Sequence, residues 1–418
     1  MNALPESAGH LPAGVTPEVS AAEARRTALE IAPGVLLAGV GSGMAFPILP
    51  IVGLHAGLSL PFIGTILAAN RIGRILVNPA VGRMADRYGP KRMLVAGLAL
   101  QVAVLGLYCA GVLTGHPGIF FLLGRLLHGP ASSGVFVGGQ TLAIHAGGER
   151  HRGMSAGIVR SAQSAGMPLG LAAGGVLAGA LGPAAAFGVA MIAPALAAAA
   201  AQRVIPDLRP PGRELPSFRQ LLATLLDRRV GAIAAMNLVG VFAAQGVILT
   251  TLVLVLERRG LRLLGLSVLT SSGLFMSCFI LCLIATAPAA GWLSDRPGWR
   301  ARLATGGLVA LAPGMVAIGL AHSLPVIAAG LALAGVAMGA LTTPLVALLG
   351  DLTPPRERGS AIGCLQLAGD AGGALGPIVG ASLLARSALL TYGGTAVLVV
   401  LAVPIGLWLM RAERAGVV

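Results

Sequence analysis

Asp370 is the one acidic residue set deep inside an apolar stretch of this 418-residue chain, and four arginines, Arg71, Arg74, Arg125 and Arg160, lie inside other such stretches. An ionised group in hydrocarbon-like surroundings costs several kcal/mol unless it is paired or wetted. Each therefore points to an ion pair, a proton-accepting group or a site for a charged ligand. Asp370 stands 11 residues beyond Gly359, about 16 Å into a helix at 1.5 Å per residue. Arg71 stands 11 residues before Gly82, at nearly the same depth. Asn70, Arg71, Arg74 and Asn78 recur at three- and four-residue spacing, which predicts one shared helix face. Asp370 then reads either as a group released or protonated in a working cycle, or as a permanent ion pair that only fixes packing. Arg125 reads as a binding or coupling residue. His128, three residues on, is equally a polar filler or a proton carrier. Arg160 lies six residues into its stretch and is equally a site residue or a side chain snorkelling to the surface. Gln140, Gln163 and Gln366 are further hydrogen-bonding candidates.

The elements that must position these residues follow from composition. Apolar residues make up 56 % of the chain and charged residues 11 %, roughly half the charge of a soluble domain. Stretches of about 20 apolar residues recur, enough for a helix to cross hydrocarbon. They read as 31–52, 62–82, 93–114, 119–146, 154–180 and 183–203, then 230–256, 266–290, 302–321, 325–350, 359–385 and 388–411. The expected class is an all-α membrane protein with twelve transmembrane helices in two six-helix bundles, 31–203 and 230–411. A polar tail over 1–30, a Pro-rich linker over 204–229 and a short tail over 412–418 complete the organisation. The 61 glycines suit close helix packing in lipid. A soluble enzyme or nucleic-acid binder does not fit, despite the net charge of +14.

That charge has a topological reading. Twelve spans place 21 of the 29 basic residues on one side, so both termini are expected in the cytoplasm. Arg258, Arg259 and Arg262 fall on the wrong side of this count. The four cysteines lie in apolar segments. Cys278 and Cys282 lack a second ligand pair, so no metal site is expected.

The chain also repeats itself. GRMADRYGPKR, from Gly82 to Arg92, recurs in weaker form as GWLSDRPGWRAR, from Gly291, 209 residues later. HRGMSAG from His151 matches ERGSAIG from Glu357 at an offset of 206, so the duplication runs through whole bundles. The loop motif resembles the one between helices 2 and 3 of the major facilitator superfamily, with its cognate between helices 8 and 9. Three further segments are similar to patterns of its twelve-span drug and metabolite antiporters. They are Val40-Gly41 with Pro47 and Pro50, Arg125 with His128-Gly129, and the glycine row Gly166, Gly170, Gly174 and Gly175. In that last row Leu171 stands where the antiporter pattern has Pro. Gly372, Gly376, Pro377 and Gly380 form a fuller copy of the row.

The resemblance implies two pseudo-symmetric bundles with a substrate site between them near the midplane. It implies that helices 2 and 11 pack across the gap, so that Asp370 would pair with Arg71 or Arg74. Asp86 would latch onto the N-terminus of helix 11, and Asp295 onto helix 5. Gly82, Arg87, Gly89, Lys91, Arg92, Gly291 and Arg296 would complete the two loop motifs. The glycine rows are read as packing or hinge elements. The function so implied is secondary transport by alternating access: proton-coupled efflux of an anionic or zwitterionic metabolite, a siderophore-like product or an antibiotic. The excess of arginine inside the membrane is what favours an anion. A multidrug antiporter, an uptake symporter and a non-transporting membrane receptor are the alternatives. The expected partners are the small-molecule substrate, protons and the lipid bilayer, with no nucleic acid. A monomer in the bacterial inner membrane, driven by the proton gradient without a cofactor, completes the reading.

Overall fold

The computed structural model describes residues 20–207, 224–354 and 357–414. Twelve helices within them are long and apolar enough to cross a membrane. The first bundle comprises α1 (Ala21–His55), α2 (Leu60–Tyr88), α3 (Pro90–Leu113), α4 (Pro117–Ala146), α5 (Gly148–Leu181) and α6 (Pro183–Val204). The second comprises α7 (Arg228–Arg259), α8 (Val268–Ser294), α9 (Arg300–Leu320), α10 (Leu324–Leu352), α11 (Arg358–Leu384) and α12 (Ala388–Arg414). Within α7, Phe242–Ile248 form a π-helical turn.

Local signals set the helix ends. Proline occupies the first turn of α2, α3, α4, α6 and α10, where its missing N–H costs no helical hydrogen bond. The two copies of the loop motif share one backbone device. Gly89 (φ 91°) joins α2 to α3 and Gly298 (φ 70°) lies between α8 and α9. Both conformations are left-handed, where a Cβ is strained, which is why glycine recurs 209 residues on.

Helix α1 begins at Ala21, ten residues earlier than the apolar pattern predicts. Ser20 and Glu23 form a capping box: the Glu23 N–H donates to Ser20 Oγ at 3.2 Å, and the Ser20 N–H donates to the Glu23 carboxylate at 3.0 Å. Ala24, Ala28 and Ile31 are buried on the same turns, so the predicted tail over 1–30 is helical from residue 21. The rest of that tail lies outside the described residues, as do most of the predicted linker, 208–223, and the end of the C-terminal tail. The chain re-enters at Arg228, where Asp227 caps α7 by accepting from the Arg229 and Val230 N–H groups.

Each bundle packs on its own glycines. Gly166, Gly170 and Gly174 of α5 lie against α1, and Gly372, Gly376 and Gly380 of α11 lie against α7. A Cβ at Gly170 would meet the Val40 carbonyl, and one at Gly376 the Gly246 Cα. The bundles meet chiefly along two helix pairs, α2 with α11 and α5 with α8, with α1 also touching α7 and α8. Gly64 abuts Pro377 and Ala381, Gly175 abuts Leu269 and Gly273, and the Thr270 hydroxyl donates to the Gly175 carbonyl at 3.1 Å. These contacts run from the midplane to the end opposite the termini. At that far end His55 Nε2 and Glu257 Oε1 stand 3.2 Å apart and link α1 to α7.

The pair is partly exposed, so it contributes at most about 1 kcal/mol. Glu257→Gln should therefore raise the population open at the far end by no more than about fivefold. Distances between spin labels on Ala56 and Leu264 read this directly, and a larger change would assign the pair a controlling role.

Candidate transport site

Three of the deep ionisable residues, Arg71, Arg74 and Asp370, converge where α2, α7 and α11 meet. The Arg71 Nη1–H donates to Asp370 Oδ1 at 2.8 Å, and the Arg74 Nε–H donates to Oδ2 at 2.9 Å. A second Arg74 N–H, on Nη2, also donates to Oδ1 and makes that guanidinium bidentate. Asp370 thus bridges two arginines across the bundle interface, as the sequence led one to expect for either one. Its side chain is 3 % exposed, while Arg71 and Arg74 are 19 % and 25 % exposed. The carboxylate is enclosed, and the two arginine side chains are partly exposed.

Arg71 is also held by a residue that the sequence reading missed. Its Nη2–H donates to Gln245 Oε1 at 2.5 Å. Gln245 sits in the π-helical turn of α7, the kind of local widening that often accompanies function. The guanidinium lies over Gly373, where a Cβ would come within 3.1 Å of Nε. The available signal was Gln245 itself, the one amide between Phe242 and Ile248. The cluster holds two permanent cations and one acid, a surplus of one positive charge.

The other candidates divide. Asn78 does not join the cluster, since its Oδ1 accepts from the Ser133 hydroxyl of α4, and Asn70 is buried with its Oδ1 unpartnered. Asn70, Arg71, Arg74 and Asn78 lie within about 100° of arc at 3.6 residues per turn, but Asn78 stands a full turn beyond Arg74 along α2 and reaches α4 instead. Arg125 is 1 % exposed inside the first bundle, and its Nη2–H donates to the Leu67 carbonyl at 3.1 Å. His128 Nε2 lies 2.9 Å from Ser42 Oγ. Arg160 and Gln366 are exposed, Gln163 is half-buried, and the Gln140 amide is buried without a partner. None of these four belongs to the cluster.

The expected latches are not engaged in this conformation. Asp86 is half-buried and Asp295 exposed, and neither makes an ion pair or hydrogen bond among the described residues. The bundles are joined at the far end, so α11 and α5 offer these acids no contact at the termini end. The motif cations lie within their own bundles. Arg87 stacks on Tyr88 at 5.4 Å, and Arg296 on Trp292 at 4.8 Å. Lys91 and Arg92 open α3. Gly82 lies nearly two turns before the end of α2, and Gly291 lies in the last turn of α8.

Two of the three misplaced cations at the far end have a structural cause. Arg258 Nη1–H donates to the Leu384 carbonyl at 2.5 Å. Arg259 donates to the carbonyls of Ile318, Gly319 and Ala321. They satisfy the open carbonyls at the C-termini of α11 and α9, where positive charge is favoured.

Two six-helix bundles with a charged cluster at their interface define a membrane transporter rather than an enzyme. The family model of the Major Facilitator Superfamily matches residues 31–276 and 264–417, and the chain belongs to that superfamily. Among similar proteins, "Multidrug resistance protein 2" of Bacillus subtilis (strain 168) is 28 % identical over 148 residues, 35 % of each chain. The chain therefore spans about a third of the length of that curated relative. A bacterial homolog of the human lysosomal transporter Spinster has the same fold, with a TM-score of 0.75 at 15 % identity over 94 % of this chain and 98 % of that one. The human organic anion transporter MFSD10 (TETRAN) superposes with a TM-score of 0.67 at 20 % identity, over 92 % and 99 %.

Proposed function

We propose that this protein is a secondary active transporter that exports an anionic or zwitterionic small metabolite by rocker-switch alternating access. The carrying observation is the Arg71–Asp370–Arg74 bridge at the bundle interface. A substrate carboxylate or phosphate can take the same N–H donors that Asp370 occupies, because guanidinium forks match either oxyanion. The surplus positive charge disfavours a lipophilic cation. The names of a multidrug resistance relative and of an organic anion transporter of the same fold support export and an anionic cargo. With both termini in the cytoplasm of a bacterial cell, the bundles are joined on the outer side, and Asp86 and Asp295 would lock the opposite state. Asp370 is the group through which the proton gradient would act, and no cofactor is required.

One observation favours a second reading, uptake of the anion together with a proton. Substrate and Asp370 compete for the same guanidiniums, so protonating Asp370 frees them. Proton and anion then reinforce each other's binding, which by linkage is reciprocal, and ligands that bind together cross together.

The test compares metabolites inside cells and in the medium for a deletion strain, the wild type and Asp370→Asn. Export predicts an anionic species trapped in the deletion strain and released by the wild type. Its depletion from the medium by the wild type alone would mean uptake. A lipophilic cation as the responding species would overturn the anion reading.

A further inference from the structure

We propose that Arg125 anchors a second, enclosed site for a small monovalent inorganic anion of the halide class, inside the first bundle and apart from the Arg71–Asp370–Arg74 cluster. Arg125 is a fully buried guanidinium with one hydrogen bond, from Nη2 to the Leu67 carbonyl. Its Nε and Nη1 have no partner. The Phe46 ring lies 5.2 Å from its Cζ. The charged neighbour contributed by α2 is Arg71, of the same sign. The one acid at this depth, Asp370, is committed to Arg71 and Arg74.

A guanidinium does not shed its charge by losing a proton in a protein, so this cation needs a counter-ion that no carboxylate among the described residues supplies. Further polar groups converge on it. Tyr108 is 1 % exposed, and its hydroxyl, without a partner at full hydrogen-bond distance, lies close enough to the Arg125 guanidinium to interact with it directly. The Tyr108 ring is seated against Gly124, one residue before Arg125, where a Cβ would collide with it. Phe121 and Phe187 pack on the same ring, with centroids 5.8 Å and 5.3 Å away. The tyrosine is thus fixed with its hydroxyl toward the guanidinium.

Two unpartnered guanidinium nitrogens and one hydroxyl among aromatic walls suit a ligand that only accepts, and accepts from any direction. Enclosure excludes an organic carboxylate, since Arg125, Tyr108 and Phe121 are each at most 1 % exposed. Water could satisfy the donors but would leave the charge. Because the site lies within one bundle, its ion stays in place as the bundles move and serves as a fixed counter-ion rather than as cargo.

The test uses the purified full-length protein in gluconate buffer, titrated with radiolabelled chloride, and with bromide for anomalous diffraction. The expected result is one saturable site per chain and a bromide peak beside Arg125. Arg125→Met should abolish binding, and Tyr108→Phe should weaken it about tenfold, the worth of one hydrogen bond to an ion. Asp370→Asn should leave the bromide peak beside Arg125 in place. Should Arg125→Met fail to fold, Tyr108→Phe decides, since it removes one donor and no charge. Absence of saturable binding in the wild type, affinity untouched by Tyr108→Phe, or a bromide peak at Arg71 and Arg74 alone would overturn the proposal.

Discussion

Asp370→Asn is expected to retain exchange of the anionic substrate across proteoliposomes while losing at least about tenfold of the accumulation driven by an imposed pH gradient, the scale of one charge-assisted interaction. Asparagine has the shape of the protonated acid and keeps a carbonyl for Arg74, so the guanidiniums stay oriented. It cannot alternate between a charged form that occupies them and a neutral form that yields them. Substrate affinity at neutral pH should equal or exceed that of the wild type, because the competing carboxylate is gone. An unchanged response to the pH gradient would make the Arg71–Asp370–Arg74 bridge a static strut. The stability arm separates the two cases further. Arg71→Met with Arg74→Met strands Asp370 in an enclosed place, and removing the partners of a buried charge costs ~3–5 kcal/mol. Adding Asp370→Asn should restore most of that loss, measured as thermal stability in detergent. A triple variant no more stable than the double would show that the arginines stabilise by packing instead.

The pairing behind this prediction was legible because depth along a helix is a linear function of residue number. Eleven residues on either side of two motif glycines put Asp370 and Arg71 at one level, and the duplicated loop supplied the arrangement of helices. Gln245 was not legible, because its place in the cluster depends on a π-helical turn that shifts the phase of α7. Nothing in an apolar run announces that change of register. The reach of Arg258 and Arg259 was hidden for a related reason. Charge counting treats a cation as a point on one side of a membrane, whereas these two side chains fold back onto helix C-termini contributed by distant segments. The start of α1 was misplaced because hydropathy ends where polar residues begin, while a capping box extends a helix through them. Asp86 and Asp295 belong to a different category. Neither acid has a partner among the described residues, and the latch contacts proposed for them would need the bundles to close at the termini end.

Conformation is also where the glycine rows part company, and Gly64→Leu should show it with a large effect. Gly64 sits at the α2–α11 seam, against the Pro377 carbonyl and Ala381, on helices that belong to different bundles. A leucine there cannot be accommodated without separating them. Overpacking of this kind costs about 1–3 kcal/mol, but here the strain has an exit, since the far-end seam can open while each bundle stays intact. The same free energy becomes a roughly 5- to 150-fold shift toward the state open at the far end. Spin labels on Ala56 and Leu264 should then move apart, with thermal stability nearly unchanged. Gly175→Leu at the α5–α8 seam should act alike. Gly170→Leu and Gly376→Leu meet backbone within a single bundle, where no rigid-body motion relieves the clash. They should lower thermal stability and leave the far-end distance as it was. If Gly64→Leu destabilises as much as Gly170→Leu without moving the labels, the seam is not the hinge surface of an alternating-access cycle. The far-end contacts would then be a permanent part of the core.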